Sequence, residues 1–268
     1  MPCPSFIRLS ALYAILALAS DPLNAATIEV PGDYPTIQEA VNASSNGDVI
    51  LVGPGTYTGE GQRVIEVLGK SETIKATEGH TKTFIDGEGV RGCVRINNSA
   101  TLILDGFTIR NGFADSPSSY PYGGALWLAS GEAAIKNCAM IDNSSGSAGM
   151  GGGAIAGFSC VAVFENCLLA DNSTMGPFGG AAAFGFAVPL FQDCIIRDNV
   201  SSGNYGAVFV DLNAGYFEAS VVCGNSGSQQ TYGPEYSDGS MLSGICEPLS
   251  CGDLDGNHLV DVNDVLIL

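Results

Sequence analysis

Positive charge is scarce in this 268-residue chain: ten Lys and Arg stand against 28 Asp and Glu, a formal net charge of −18. Nucleic-acid binding works by neutralising backbone phosphates, and this balance excludes it. Histidine is scarcer still, with only His80 and His258, and neither stands in a nucleophile or metal-ligand pattern; His80 reads as a solvated loop residue. After the first two dozen residues no stretch approaches the ~18 continuous apolar residues of a membrane helix, so no span is expected in the mature chain. Long helical periodicity is missing as well, which excludes crossover helices between strands. Glycine, by contrast, is abundant at 36 residues, and 46% of the chain is hydrophobic. Many tight turns around a real core fit that composition, and low-complexity disorder does not.

Residues 1–25 read as an export signal. Arg8 supplies a positive start, residues 9–18 are an apolar run too short to cross a bilayer, and Ala17-Leu18-Ala19 and Asn24-Ala25-Ala26 are small-residue cleavage sequences. The expected location is secreted or cell-surface, whether extracellular or on an outer membrane. Of nine cysteines, losing Cys3 with the signal leaves eight, an even number suited to an oxidising compartment. Cys246 with Cys251 or Cys223 is the expected surface bridge.

Internal repetition organises the rest. Gly123-Gly124-Ala125-Leu126, Gly152-Gly153-Ala154-Ile155, Gly179-Gly180-Ala181-Ala182 and Tyr205-Gly206-Ala207-Val208 align, and each is followed by a second motif. That motif reads Asn137-Cys138-Ala139-Met140-Ile141-Asp142-Asn143, Asn166-Cys167-Leu168-Leu169-Ala170-Asp171-Asn172 and Asp193-Cys194-Ile195-Ile196-Arg197-Asp198-Asn199, with weaker copies at residues 106–112 and 219–225. By subtraction the copies lie 31, 29, 27 and 26 residues apart from Phe107 through Cys138, Cys167 and Cys194 to Ser220. A fixed period means that each unit buries its apolar face on its neighbours. Short β-prone runs without helices must stack coil on coil, which predicts a right-handed parallel β-helix over residues 27–226.

The stack sorts residues into columns. Phe107, Cys138, Cys167, Cys194 and Ser220 form one core column; Ile109, Met140, Leu169, Ile196 and Val222 form the next on the same face. The cysteines read as small core residues. Asn143, Asn172, Asn199 and Asn225 form a ladder, placed by sequence in the left-handed turn conformation that Asn tolerates. Asn-x-Ser/Thr sequons begin at Asn42, Asn97, Asn143, Asn172 and Asn199, and the last three are explained by the ladder itself. Tyr34-Pro35-Thr36-Ile37-Gln38-Glu39-Ala40-Val41 predicts a short amphipathic helix, with Ile37, Ala40 and Val41 on one face, that caps the first coil. Residues 227–250, rich in Ser, Gly, Pro and Tyr, read as a linker, and a new element begins at Cys251.

The opening helix motif, with Gly53-Pro54-Gly55-Thr56-Tyr57, resembles the amino-terminal cap and first coil of the pectate-lyase-like β-helix superfamily. The Gly-Gly-Ala-[Ile/Leu/Val] and apolar-x-x-Asn repeats are similar to those of chlamydial polymorphic outer-membrane proteins and their relatives. The first resemblance implies the fold. It leaves activity open, because that superfamily includes lyases, hydrolases, esterases and adhesins on one scaffold.

Within residues 251–268, Asp253-Leu254-Asp255-Gly256-Asn257-His258-Leu259-Val260-Asp261-Val262-Asn263-Asp264 has the oxygen spacing of a 12-residue calcium loop. Asp253, Asp255, Asn257, Asp261 and Asp264 supply side chains and Leu259 a backbone carbonyl; His258 stands where such loops carry glycine. The run resembles the first calcium loop of a dockerin, truncated after one loop, and that resemblance implies calcium as cofactor and a cohesin-type partner. For catalysis, Asp142, Asp171 and Asp198 stack in a column that could hold a cation, though solvated turn formers are the commoner occupants. Arg95, Arg110, Lys136 and Arg197 are the bases on rungs that a calcium-assisted lyase would use. Asp86, Asp105, Glu165, Asp193, Asp211 and Glu218 are the carboxylates available to a glycoside hydrolase, and no pair is singled out. The expected function is therefore non-catalytic binding of a polysaccharide or a surface partner. A polysaccharide lyase or glycoside hydrolase is the alternative.

Overall fold

The computed structural model describes residues 25–115, 122–146, 151–211, 215–233, 235–236 and 240–243. Every strand pairing among them is parallel. The chain is an all-β parallel solenoid. A first sheet runs from Thr27–Val30 through Ala100–Asp105, Gly131–Lys136 and Cys160–Glu165 to Glu235–Tyr236. A second contains Thr108–Arg110, Ala139–Ile141, Leu168–Ala170 and Ile195–Arg197; a third contains Arg63–Leu68, Gly92–Asn97, Leu126–Leu128, Ile155–Phe158 and Ala182–Gly185. The two-residue strands Phe113–Ala114, Ser144–Ser145, Ser173–Thr174 and Val200–Ser201 make a fourth strip between the second and third. Thr27 pairs with Val49 and Val49 with Thr73, so the first two coils advance by only 22 and 24 residues before the longer repeat begins.

Both sequence-derived core columns lie inside. Phe107, Cys138, Cys167 and Cys194, and Ile109, Met140, Leu169 and Ile196, are all at most 1% exposed. A third column was not anticipated: Phe164, Phe191 and Phe217 stack face to face at 4.8 and 5.0 Å between centroids. The cysteine column also does more than fill space. Cys138, Cys167 and Cys194 each share one thiol hydrogen between the carbonyl two residues back and one in the preceding coil, and the Ser220 hydroxyl does the same. These three, with Cys93 and Cys160, are free thiols, so the even cysteine count does not translate into a set of bridges. Cys223 is disulfide-bonded.

The asparagine ladder exists, but its backbone assignment needs correction. The left-handed residue is the one before each ladder asparagine: Asp142, Asp171 and Asp198 have φ of 55–56° and Gly224 has 61°, and Asn111, before Gly112 at the equivalent position, has 51°. That turn aims the following side chain inward. Backbone and side-chain amides of Asn143 donate to Oδ1 of Asn172, those of Asn172 to Asn199, and those of Asn199 to Asn225. Gly112 N–H opens the series on Asn143, and Gln230 Oε1 closes it on Asn225. Every buried amide in the series is thereby paired, as burial requires. Burial of Asn143, Asn172 and Asn199 at no more than 1% exposure removes three of the five sequons from glycosylation. Beside the ladder, the Gly-Gly-Ala motif is a close approach of backbones: a Cβ on Gly153 would strike the Gly180 carbonyl, and one on Gly180 would strike that of Gly206.

The sequence-predicted helix spans Ile37–Ala43 and buries Ile37, Ala40 and Val41. Thr36 and Glu39 form a capping box at its start. It packs against the strands Thr27–Val30, Val49–Val52 and Arg63–Leu68. Gln38 uses both ends of its carboxamide on the edge of the third sheet, accepting from Glu66 N–H at 2.6 Å and donating to Glu66 C=O at 3.3 Å. One N–H and one C=O of that edge, those of Glu66, are thus satisfied. Parallel pairing also continues past residue 226. Gln229–Tyr232, Glu235–Tyr236 and Met241–Ser243 join the third, first and second sheets, so part of the expected linker is a further coil.

Candidate functional site

The outer face of the third sheet carries the most concentrated chemistry. Glu66, Arg95 and Trp127 are register partners on successive coils and therefore project from one face in a column. Arg95 lies over the Trp127 ring, its guanidinium carbon 4.2 Å from the centroid, and bonds Glu66 through Nη1 at 3.2 Å. Arg63 reaches the same aromatic group, 5.5 Å from the Tyr122 ring and 5.7 Å from Trp127. Tyr122 meets Trp127 edge-on at 4.3 Å. Space for Arg63 depends on Gly92, where a Cβ would fall on the guanidinium. Burial among these rings pulls the Arg63 pKa below its usual value. Trp127 is thus occupied on its face by an arginine and holds the pair of cations in place.

Beside this group opens a cleft of about 860 Å³ between the helix Ile37–Ala43 and the third sheet, lined by Arg63, Glu66 and Arg95 on one side and Gln38, Glu39 and Asn42 on the other. Two arginines face three glutamates there, Glu39, Glu60 and Glu66. The lining is therefore not a cationic trap for a polyanion. It offers an alternation of donors and acceptors suited to hydroxyl groups. Glu39 Oε2 already accepts from the Thr36 amide and hydroxyl, and Glu66 is held by Arg95.

The residues expected for lyase chemistry are placed differently. Arg110 and Arg197 do share a column of the second sheet, separated by Ile141 and Ala170. Arg110 Nε bonds Asp86 Oδ2 at 2.8 Å, and Arg197 bonds Asp198 Oδ2 at 2.5 Å. Burial works to raise the Asp86 pKa, but hydrogen bonds from Glu88 N–H, Asn111 and Arg110 outweigh it and leave the group below its usual value. In the aspartate column, Asp171 is raised by burial; Arg197 opposes this and Asp198 and Asp142 add to it. Asp193 is likewise raised by burial and by its neighbours Glu165 and Glu218. Lys136 is paired with Glu165 at 2.7 Å, and Asp105 with Lys75 at 3.4 Å. Among the described residues no three His, Cys, Asp or Glu side chains group as a metal site. The calcium-loop residues Asp253, Asp255, Asn257, Leu259, Asp261 and Asp264 lie outside the described residues, as do the signal segment up to residue 24 and Cys246 and Cys251.

Sequence reading singled out Arg95 but neither Arg63, Glu66, Tyr122 nor Trp127. The signal available was the lone tryptophan two residues after a repeated Gly-Gly-Ala, where later coils carry Ala156 and Ala183. Among the described residues no helix is long and apolar enough to cross a membrane.

No protein-family model and no curated protein sequence matches the chain. Similar solved structures include a pectin methylesterase mutant in complex with a hexasaccharide, at 15% identity over 81% of this chain and 69% of that one, with a TM-score of 0.40. Another is the pectin methylesterase from Aspergillus niger, at 16% identity over 85% of this chain and 87% of that one, with a TM-score of 0.39.

Proposed function

We propose that this chain is a secreted or cell-surface right-handed β-helix that binds a neutral polysaccharide and does not cleave it. The carrying observation is the cleft in which Arg63, Arg95 and Glu66 present fixed donors and acceptors beside the helix. Sugar hydroxyls both donate and accept, so an arginine next to a glutamate can bind a vicinal pair. Balanced charge in the lining, on a molecule of net charge −18, favours a neutral polymer over an acidic one. Glu39 and Glu66 are tied to Thr36 and Arg95, which favours binding over acid–base work. Arg95→Ala should weaken binding of cellulose-, xylan- or mannan-derived oligosaccharides at least ~tenfold, with stability changed by no more than about 1 kcal/mol. Calorimetric titration together with a reducing-end assay tests this. Equal affinity in the variant, or release of new chain ends by the unaltered protein, would sink the reading.

The helix Ile37–Ala43 closes the first coil in this reading. The C-terminal loop, Asp253 through Asp264, binds calcium and serves as the contact to a cohesin-type partner, supported by its ligand spacing. Calcium titration of the full chain should give a site that Asp253→Ala weakens while the solenoid melts at the same temperature. A variant that keeps wild-type calcium affinity would refute the loop.

A further inference from the structure

Phe158 and Phe186 are large, exposed and oddly placed. Phe158 ends the strand Ile155–Phe158, two residues beyond Ala156, and Ala156 is the register partner of Trp127. Alternation along a strand puts Phe158 on the same outer face as Trp127, about 8 Å away by rung and residue spacing. Phe186 follows Gly185, the register partner of Phe158, and so stands one coil further on. The two rings meet edge-on with centroids 5.5 Å apart, and they are 37% and 61% exposed.

Phe186 also has φ of +50°. At this turn the other left-handed positions include Gly69, Asn98, Ser99 and Ser159, residues with no side chain or a short polar one. A bulky aromatic in that conformation is strained, and strain of this kind clusters at functional positions. Burial does not compensate, since most of the ring faces solvent beside Val188, itself 42% exposed. Folding alone would be better served by the glycine, asparagine or serine that other coils place at this turn.

We propose that Phe158 and Phe186 form a second subsite for the same neutral polysaccharide, so that one glycan chain runs from the arginine cleft past Trp127 onto the aromatic pair. A pyranose ring presents a patch of C–H groups on its face, which packs on an aromatic ring, while its hydroxyls stay in water. This inference rests on the polysaccharide reading of the cleft.

Phe186→Gly is the informative change, because glycine takes φ of +50° without strain. Oligosaccharides from cellulose, xylan and mannan, and their disaccharides, are titrated against the unaltered protein, Phe186→Gly, Phe158→Ala and Arg95→Ala, with melting temperature and sedimentation recorded for each. The expected result for Phe186→Gly is a melting temperature equal or higher, affinity for long oligosaccharides lowered ~tenfold, and disaccharide binding unchanged. Phe158→Ala should reproduce the loss. Unchanged long-chain affinity in Phe186→Gly, with Arg95→Ala still defective, overturns the subsite and leaves the cleft standing. No binding of any sugar by the unaltered protein overturns both. A self-associated protein that Phe186→Gly converts to monomer also overturns the subsite, because the pair would then be a contact between copies.

Discussion

The coils from residue 107 onward and the coils before them use the same sheets and differ in what fills their columns. In the later coils like stands on like: asparagine on asparagine, cysteine on cysteine, phenylalanine on phenylalanine. The buried amides of the ladder there are taken up by the next coil. In the earlier coils unlike residues stack, as with Glu66 and Arg95, a column that Trp127 continues into the first of the later coils. Polar groups there are left facing a cleft or poorly matched inside, as with Glu72. Repetition satisfies polar atoms by giving each an identical neighbour; breaking the repetition is what frees side chains to meet something other than the protein.

The sharpest way to break that contrast is at the ladder. Asn172→Leu removes the acceptor for both the backbone and side-chain amides of Asn143 and leaves them buried. The Asn143 side chain keeps the Ile109 and Ile141 carbonyls, so the orphaned donor is its backbone N–H; with the bond from Asn172 to the Met140 carbonyl also lost, stability should fall by about 2–4 kcal/mol. Denaturant unfolding measures it, and a loss below about 1 kcal/mol would mean the amide column contributes little.

Next in size is Glu72, 2% exposed beneath the end of the helix. It accepts from the Ser44 hydroxyl at 2.6 Å while its Oε2 has no hydrogen-bond partner. Burial pushes its pKa from the ordinary 4.5 up to about 7; the Ser44 bond and Lys70 oppose the rise, and Asp48 adds to it. The folded protein then holds a proton that the unfolded chain has released. Stability from this group is full below pH 4.5 and is lost as pH rises through about 7. Glu72→Gln should flatten that decline and stabilise the protein above pH 7, by on the order of 1–3 kcal/mol. Parallel pH–stability curves for the two proteins would remove Glu72 as the cause.

The smallest effect belongs to the thiol column. Because Ser220 already stands in that column with the equivalent two carbonyls of its own coil as partners, Cys194→Ser should cost under about 1 kcal/mol and less than Cys194→Ala. The reverse order would show that the sulfur matters for volume and not for its hydrogen.

The same contrast explains what could be read from sequence. Period and core columns were legible in the later coils because stacking imposes one residue type per position, so Met140, Leu169 and Ile196 announce their own burial. The turn conformation was misassigned by one residue, since Asp and Asn both tolerate the left-handed region and adjacent positions cannot be told apart by type. The extra coil at residues 229–243 was missed for a related reason: its strands Gln229–Tyr232 and Glu235–Tyr236 are polar or aromatic and have lost the motif. The cleft was legible only as Arg95, because it is assembled by register between Glu66, Arg95 and Trp127, which share no sequence pattern.

The amide ladder has a further consequence for how such a chain can change length. Each coil donates forward to an oxygen supplied by the coil after it, and Gln230 offers the final oxygen in place of an asparagine. The interfaces along the column are therefore interchangeable sockets. Duplicating or excising the unit between Asn172 and Asn199 would leave no orphaned donor, and would move everything beyond it by one increment of ~4.8 Å. In that sense the later coils are a ruler, free to set the separation between the arginine cleft and whatever follows the last coil.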